Sequence, residues 1–279
     1  PGGIQMLGKL FKYEWRSITK LLLPIHGCVL LFALLSRFYF ALGGGVENLL
    51  NSSSGIISVL TGLLIFALVV IISSVVIFTY VYIGYHFYKK VFTDQGYLTN
   101  TLPVTPTQLL LSKGLAAVPW LLIDILVIII SCLILAGTKD LFSSFRLVWP
   151  VMLNQMGQMP LLAALTIFAI ILSPFQMIIT LFFSVTVGNL ASTHKVLASI
   201  AAYIGIYILQ QIFGFIELIV IGFSNYGTFM NVDLATNAAI SIDTYLNPVL
   251  AVNIIFCILL MIACWIGSRY ILSKKLNLQ

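Results

Sequence analysis

TDQGYLTNTLPVTPTQ, residues 93 to 108, is a polar, proline-punctuated run set between two strongly apolar segments. It suits neither lipid nor a buried core, so its meaning depends on what its flanks are. The 279-residue chain is 61% hydrophobic and only 8% charged, with a mean hydropathy of +1.11, whereas soluble domains are about a quarter charged. A membrane-spanning helix needs about twenty mostly apolar residues. Six stretches qualify, at 21–42, 56–86, 109–136, 158–188, 197–223 and 247–271. The fold expected is an all-α membrane protein of six transmembrane helices, with both termini on one side.

Basic residues choose that side. With the N-terminus inside, the inner segments hold Lys9, Lys12, Arg16, Lys20, Lys89, Lys90, Lys113, Lys195, Arg269, Lys274 and Lys275, eleven of the fourteen Lys and Arg residues, against Arg37, Lys139 and Arg146 outside. This bias predicts cytoplasmic termini. Pro1 to Gln5 read as the remnant of a cleaved tag, with the natural chain beginning at Met6. From Leu7 to Lys20, Leu7, Leu10, Phe11, Trp15 and Ile18 share one helical face and the cations lie mostly on the other. Residues 6–20 are thus expected to form an amphipathic helix along the inner membrane surface, ahead of a transmembrane domain over 21–279.

Several chemistries lack their signatures. Gly3 to Lys9 matches G-x-x-x-x-G-K, but no Ser or Thr follows to hold Mg²⁺ and no strand precedes it, so a phosphate loop is not expected. Cys28, Cys132, Cys257 and Cys264 lie in apolar runs and read as small packing residues. His26, His86 and His194 fall in separate segments without metal-ligand spacing, so no metal site is expected. No paired catalytic carboxylates or nucleophile-base spacing suggests an enzyme.

Ionisable groups at membrane depth are costly and need partners. Asp124 lies eleven residues past Lys113, about 16 Å along a helix and so near the midplane. It reads either as a cavity-lining or proton-handling carboxylate or, preferentially, as one that bonds a neighbouring helix. Arg37 and Glu217 fall toward the outer ends of their spans. They are expected to pair, with separate snorkelling to outer water as the alternative.

The opening run falls on the cytoplasmic side. Thr93 and Asp94 can cap a short helix, Gly96 can take a turn, and Thr105-Pro-Thr-Gln108 has the form of a helix start with Thr105 at the N-cap. Phe92, Tyr97 and Leu98 are expected to be exposed there, forming a contact surface for a soluble partner.

The sequence FTDQGYLTNTLPVTPTQLLLSK resembles the first cytoplasmic loop of bacterial ABC exporter permeases of the second type, in which a D-E-G-Y-L-x-x-T-L-P-V run precedes a helix ending in S-K. MLGKLFKYEWRSITKLLLPIHG is similar to their amphipathic first helix, and the six-span layout extends the similarity over the chain. The resemblance implies a permease subunit that binds no cofactor, with ATP and Mg in a separate ABC ATPase, and two permease copies per transporter, a homodimer being expected. It implies an ATPase-coupling segment within 87–108 comprising Phe92, Asp94, Gln95, Gly96, Tyr97, Leu98 and Thr99, where Gln95 replaces the usual Glu. It also implies a second inner contact at Gly188, Asn189, His194 and Lys195, spans one and five near the dimer axis, and re-entrant outer helices between spans five and six. Location in a bacterial plasma membrane, export of amphipathic cytolytic or antimicrobial peptides or other hydrophobic substrates, contact with membrane lipid, and no nucleic-acid partner follow from the same likeness. The rival reading from the residues is an ion- or proton-coupled secondary transporter or channel without an ATPase.

Overall fold

The structure is a computed structural model that describes residues 2–93, 105–137, 139–224 and 238–274, with side chains described except at 2–5, 136, 139–141 and 238–244. Asp94, Gln95, Gly96, Tyr97, Leu98 and Thr99 lie outside the described residues, as does most of the segment expected to re-enter the outer face. Every regular element among the described residues is a helix: α1 Gly2–Leu42, α2 Val46–Leu50, α3 Gly55–Phe92, α4 Pro106–Ala136, α5 Lys139–Gln158, α6 Pro160–Gly188, α7 Lys195–Ser224 and α8 Ala238–Lys274. Six of them, all but α2 and α5, are long and apolar enough to cross a membrane.

The chain divides into two compact units, residues 1–86 with 111–145 and residues 87–110 with 146–279. In the first unit, α1 buries Glu14, Ile18, Leu22, His26, Val29, Ala33, Ser36 and Phe40, a stripe of three- and four-residue steps that keeps one face turned to its neighbours. On α4 the corresponding stripe is Lys113, Ala117, Trp120, Asp124, Val127 and Ser131, and on α3 it includes Thr61, Leu68, Val75, Thr79 and Ile83. Val29, Val75 and Val127, one from each helix, form a shared apolar cluster. Cross-helix bonds set the directions. Glu14 with Lys113, His26 with Asp124 and Arg37 with Leu135 ascend together, so α1 and α4 are parallel. His86 with Ser17 and Tyr39 with Thr61 run oppositely, so α3 is antiparallel to α1.

Two features go beyond the sequence expectation. Residues 6–20 and the first span are one continuous helix. The reason is the buried stripe, which passes through Glu14, Ile18 and Leu22 without a change of face, and Thr19 to Ile25 contains no glycine or polar turn to break it. Pro24 is accommodated inside the helix. The second feature is α5, a 20-residue helix in the region expected only to carry the outer cations Lys139 and Arg146. Its apolar side chains recur at Phe142, Phe145, Trp149, Met152 and Met156, and its described side chains are exposed throughout.

In the second unit, Phe213 of α7 stacks on Phe256 of α8 at 3.7 Å between ring centroids. Gly188 ends α6 against the backbone of Ser199 on α7, where a Cβ would overlap it. The described part of the expected re-entrant segment, from Ala238, continues as helix directly into the last span.

Candidate functional site

Polar side chains placed on the packed stripes of α1, α3 and α4 gather into layers. In the deepest, Asp124 Oδ1 accepts from the Thr79 hydroxyl at 2.8 Å and pairs with His26 Nε2 at 2.6 Å. His26 Nδ1 lies 2.7 Å from the Leu22 carbonyl oxygen, so the proton on one ring nitrogen has an acceptor whichever tautomer is present. Trp120, one turn before Asp124, lays its ring on His26 at 5.4 Å and on Trp15 at 5.5 Å. Asp124 and Thr79 are 1% and 0% exposed; the cluster is sealed from solvent. Its chemistry is that of a buried polar crosslink holding three helices, although Trp120 Nε1 and Asp124 Oδ2 are buried without a hydrogen-bond partner among the described residues.

Toward the end expected inside, Lys113 Nζ donates to Glu14 Oε1 at 2.7 Å, and His86 Nε2 meets Ser17 Oγ at 3.1 Å while its Nδ1 lies 3.7 Å from Glu14 Oε2. Toward the other end, Arg37 donates to the Leu135 carbonyl oxygen at 3.2 Å. Lys113 and Leu135 are 22 residues apart on α4, about 33 Å, close to the roughly 30 Å of a hydrocarbon core. The Asp124 layer therefore stands halfway between two charged layers spaced like the two membrane boundaries.

The second unit has its own polar crosslink. Glu217 of α7, 6% exposed, bonds the side chain of Asn253 on α8, and Cys257 Sγ donates to Asn253 Oδ1 at 3.6 Å. Arg37 and Glu217, expected to pair, thus each find a partner within their own unit.

The segments expected to meet a soluble partner are built on helix ends. Thr105 and Gln108 form a reciprocal capping box: the Gln108 amide N–H donates to Thr105 Oγ1 at 3.3 Å and the Thr105 N–H to Gln108 Oε1 at 3.0 Å. This is the helix start anticipated from Thr-Pro-Thr-Gln. Thr93 turns its hydroxyl back to the Lys89 carbonyl oxygen at the end of α3. Phe92 requires correction: expected in the exposed contact surface, it is 2% exposed. It sits on the last turn of α3, packed on Phe87 at 6.0 Å and on Tyr88 at 6.3 Å. Phe87 in turn stacks on Phe182 of α6 at 4.1 Å and 11° between planes. In the second inner segment, Gly188 and Asn189 are buried and serve packing, Lys195 opens α7 partly buried, and His194, with a positive φ of 55°, is exposed beside Ser192 and Thr193. Leu190, in the same segment, is exposed as well.

Reasoning from the sequence overlooked Glu14, Lys113, His26 and His86 as interacting groups. The signal was present for Glu14, which shares the helical face of Leu7, Leu10 and Ile18 and is therefore a carboxylate on an apolar stripe. Among the described residues, no group of three or more His, Cys, Asp or Glu side chains is arranged to hold a metal ion. Comparison with protein-family models, with curated proteins and with solved structures gives no match to this chain.

Proposed function

We propose that the chain is the membrane subunit of an ATP-driven exporter, in which a separate ATPase docks on the inner segments and a second copy of the chain completes the conduit. The substrate class is amphipathic or hydrophobic peptide, and the membrane is a bacterial plasma membrane. One observation carries this reading beyond the resemblance of 92–113: residues 87–110 group with the second unit, although the bodies of α3 and α4 belong to the first. The stack of Phe87 on Phe182 makes that connection. A push on the segment between α3 and α4 would therefore act directly on α6, through the packed ends of long helices. Such rigid-body transmission is what an ATPase-driven cycle needs. α3 has 38 residues, about 57 Å of helix, so it exceeds a bilayer core by roughly 27 Å and can carry its Lys89 and Lys90 end into the cytoplasm.

A second reading, proton-coupled transport without an ATPase, is favoured by the His26, Asp124 and Thr79 cluster at mid-depth. Co-expression with a candidate ATPase and transport of an amphipathic helical peptide into inside-out vesicles separates the two. The exporter reading expects co-purification, ATP-dependent uptake, and loss of uptake in Gly96→Pro and Tyr97→Ala. Uptake driven by a pH gradient without ATP, with both variants fully active, refutes it.

A further inference from the structure

At the end expected outside, the first unit holds a cleft of about 980 Å³ walled by all three of its long helices. Arg37 and Phe40 come from α1, Leu68 and Val69 from α3, and Cys132 and Leu135 from α4. Phe40 and Leu68 belong to the apolar cluster that floors it. Gly44 and Gly45, whose φ values of 74° and 116° make the tight turn from α1 to α2, also line the cleft and bring no side chain to it. A side chain at Gly45 would meet open space.

Arg37 is the single charged side chain in this lining. Its guanidinium has five N–H donors, and the described residues supply it with one acceptor, the Leu135 carbonyl oxygen. A partly buried guanidinium above an apolar cleft calls for a ligand with an anionic head and a hydrocarbon tail. The wall side chain Val69 is 60% exposed on a helix apolar enough to cross a membrane, so the cleft opens on a surface that acyl chains touch. From Ile65 to Ser73 it follows α3 for eight residues, about 12 Å of depth.

We infer that this cleft is a binding site for one anionic phospholipid of the outer leaflet, with its phosphate on Arg37 and an acyl chain between α1, α3 and α4. Selectivity resides in the head. The tail leaves hydrocarbon to enter hydrocarbon, so its transfer gives little driving force, whereas the guanidinium gains a bidentate phosphate at the membrane boundary. Zwitterionic lipid carries the same phosphate but brings its own cation, which competes with Arg37. The inference is independent of how transport is powered.

The test uses the purified chain in nanodiscs of equal phosphatidylglycerol and phosphatidylcholine, released into the gas phase for native mass spectrometry. The expected result is one retained phosphatidylglycerol, favoured over phosphatidylcholine by about tenfold or more. Arg37→Gln abolishes that preference, Arg37→Lys keeps part of it, and Ser73→Leu, which fills the wall, weakens retention of either lipid. Arg146→Gln, at a cation that does not line the cleft, leaves the preference intact. Equal retention of both lipids, or an equal loss in Arg146→Gln and Arg37→Gln, overturns the inference. So does one-for-one displacement of the phosphatidylglycerol by an amphipathic peptide, which would assign the cleft to substrate.

Discussion

Replacing Asp124 by Ala removes the acceptor shared by Thr79 and His26 and leaves two polar groups at 0% and 3% exposure. In a water-soluble core, each stranded group would cost about 1–3 kcal/mol. Helices dissociating within a membrane find substitute partners, so measured interhelical bonds average about 0.6 kcal/mol and reach about 1.7 kcal/mol. Two short bonds in a sealed site belong near the top of that range, giving about 3 kcal/mol for Asp124→Ala. Asp124→Asn keeps an acceptor for Thr79 and is expected to cost roughly half as much. The assay is reversible unfolding in mixed micelles by titration with dodecyl sulfate, followed by circular dichroism. A His26→Ala and Asp124→Ala cycle should give a coupling of about 1.5 kcal/mol, and additivity within about 0.3 kcal/mol would refute the bond. The variant that separates structure from function is His26→Leu, Thr79→Val and Asp124→Leu together. An apolar replacement of a buried polar cluster is often nearly neutral, so stability should return to within about 1 kcal/mol of the parent and ATP-dependent export should persist. Restored stability with lost transport would refute the crosslink reading and point to proton handling.

The other expectations concern named contacts. Phe87→Leu or Phe182→Leu should leave ATP hydrolysis by the docked ATPase nearly unchanged while lowering vesicle uptake by about 2- to 30-fold, the range of a coupling change of about 0.5–2 kcal/mol; parallel loss of both activities would place the stack outside the transmission path. Glu14→Gln or Lys113→Met alone should cost about 3 kcal/mol in the same unfolding titration, because each strands a buried charge, whereas Glu14→Leu with Lys113→Leu should recover most of the loss. Gly188→Ala should lower the unfolding midpoint by about 1–3 kcal/mol through overlap with Ser199, while Gly205→Ala, where a Cβ meets open space, should leave it equal or slightly higher.

The six spans were legible because a bilayer imposes one length on every crossing helix, and runs such as 56–86 and 247–271 satisfy it without ambiguity. The helix start at Thr105 was equally legible, being a local exchange of two hydrogen bonds within four residues. The crosslinks were not. His26 and Asp124 are 98 residues apart and Glu14 and Lys113 are 99 apart, so only the register of α1 against α4 brings them together. Apolar helices fix that register weakly by periodicity alone, and the polar pairs themselves select it. Phe92 was misread because its polar neighbours suggested a loop, while the last turn of α3 reaches it and turns it onto Phe87 and Tyr88.

The placement of polar groups explains why the chain tolerates charges at membrane depth. Apolar side chains on α1, α3 and α4 can slide or rotate against one another at little cost, because lipid is as apolar as they are. A bond between His26 and Asp124 cannot slide, and neither can Glu14 with Lys113 one layer away. Two such layers about 16 Å apart on α4 fix both translation and rotation of α1 against α4, and the Thr79 bond extends the constraint to α3. The first unit is thereby a braced block. Beyond His86, α3 runs on to Phe92, and its Phe87 stacks on Phe182 of α6.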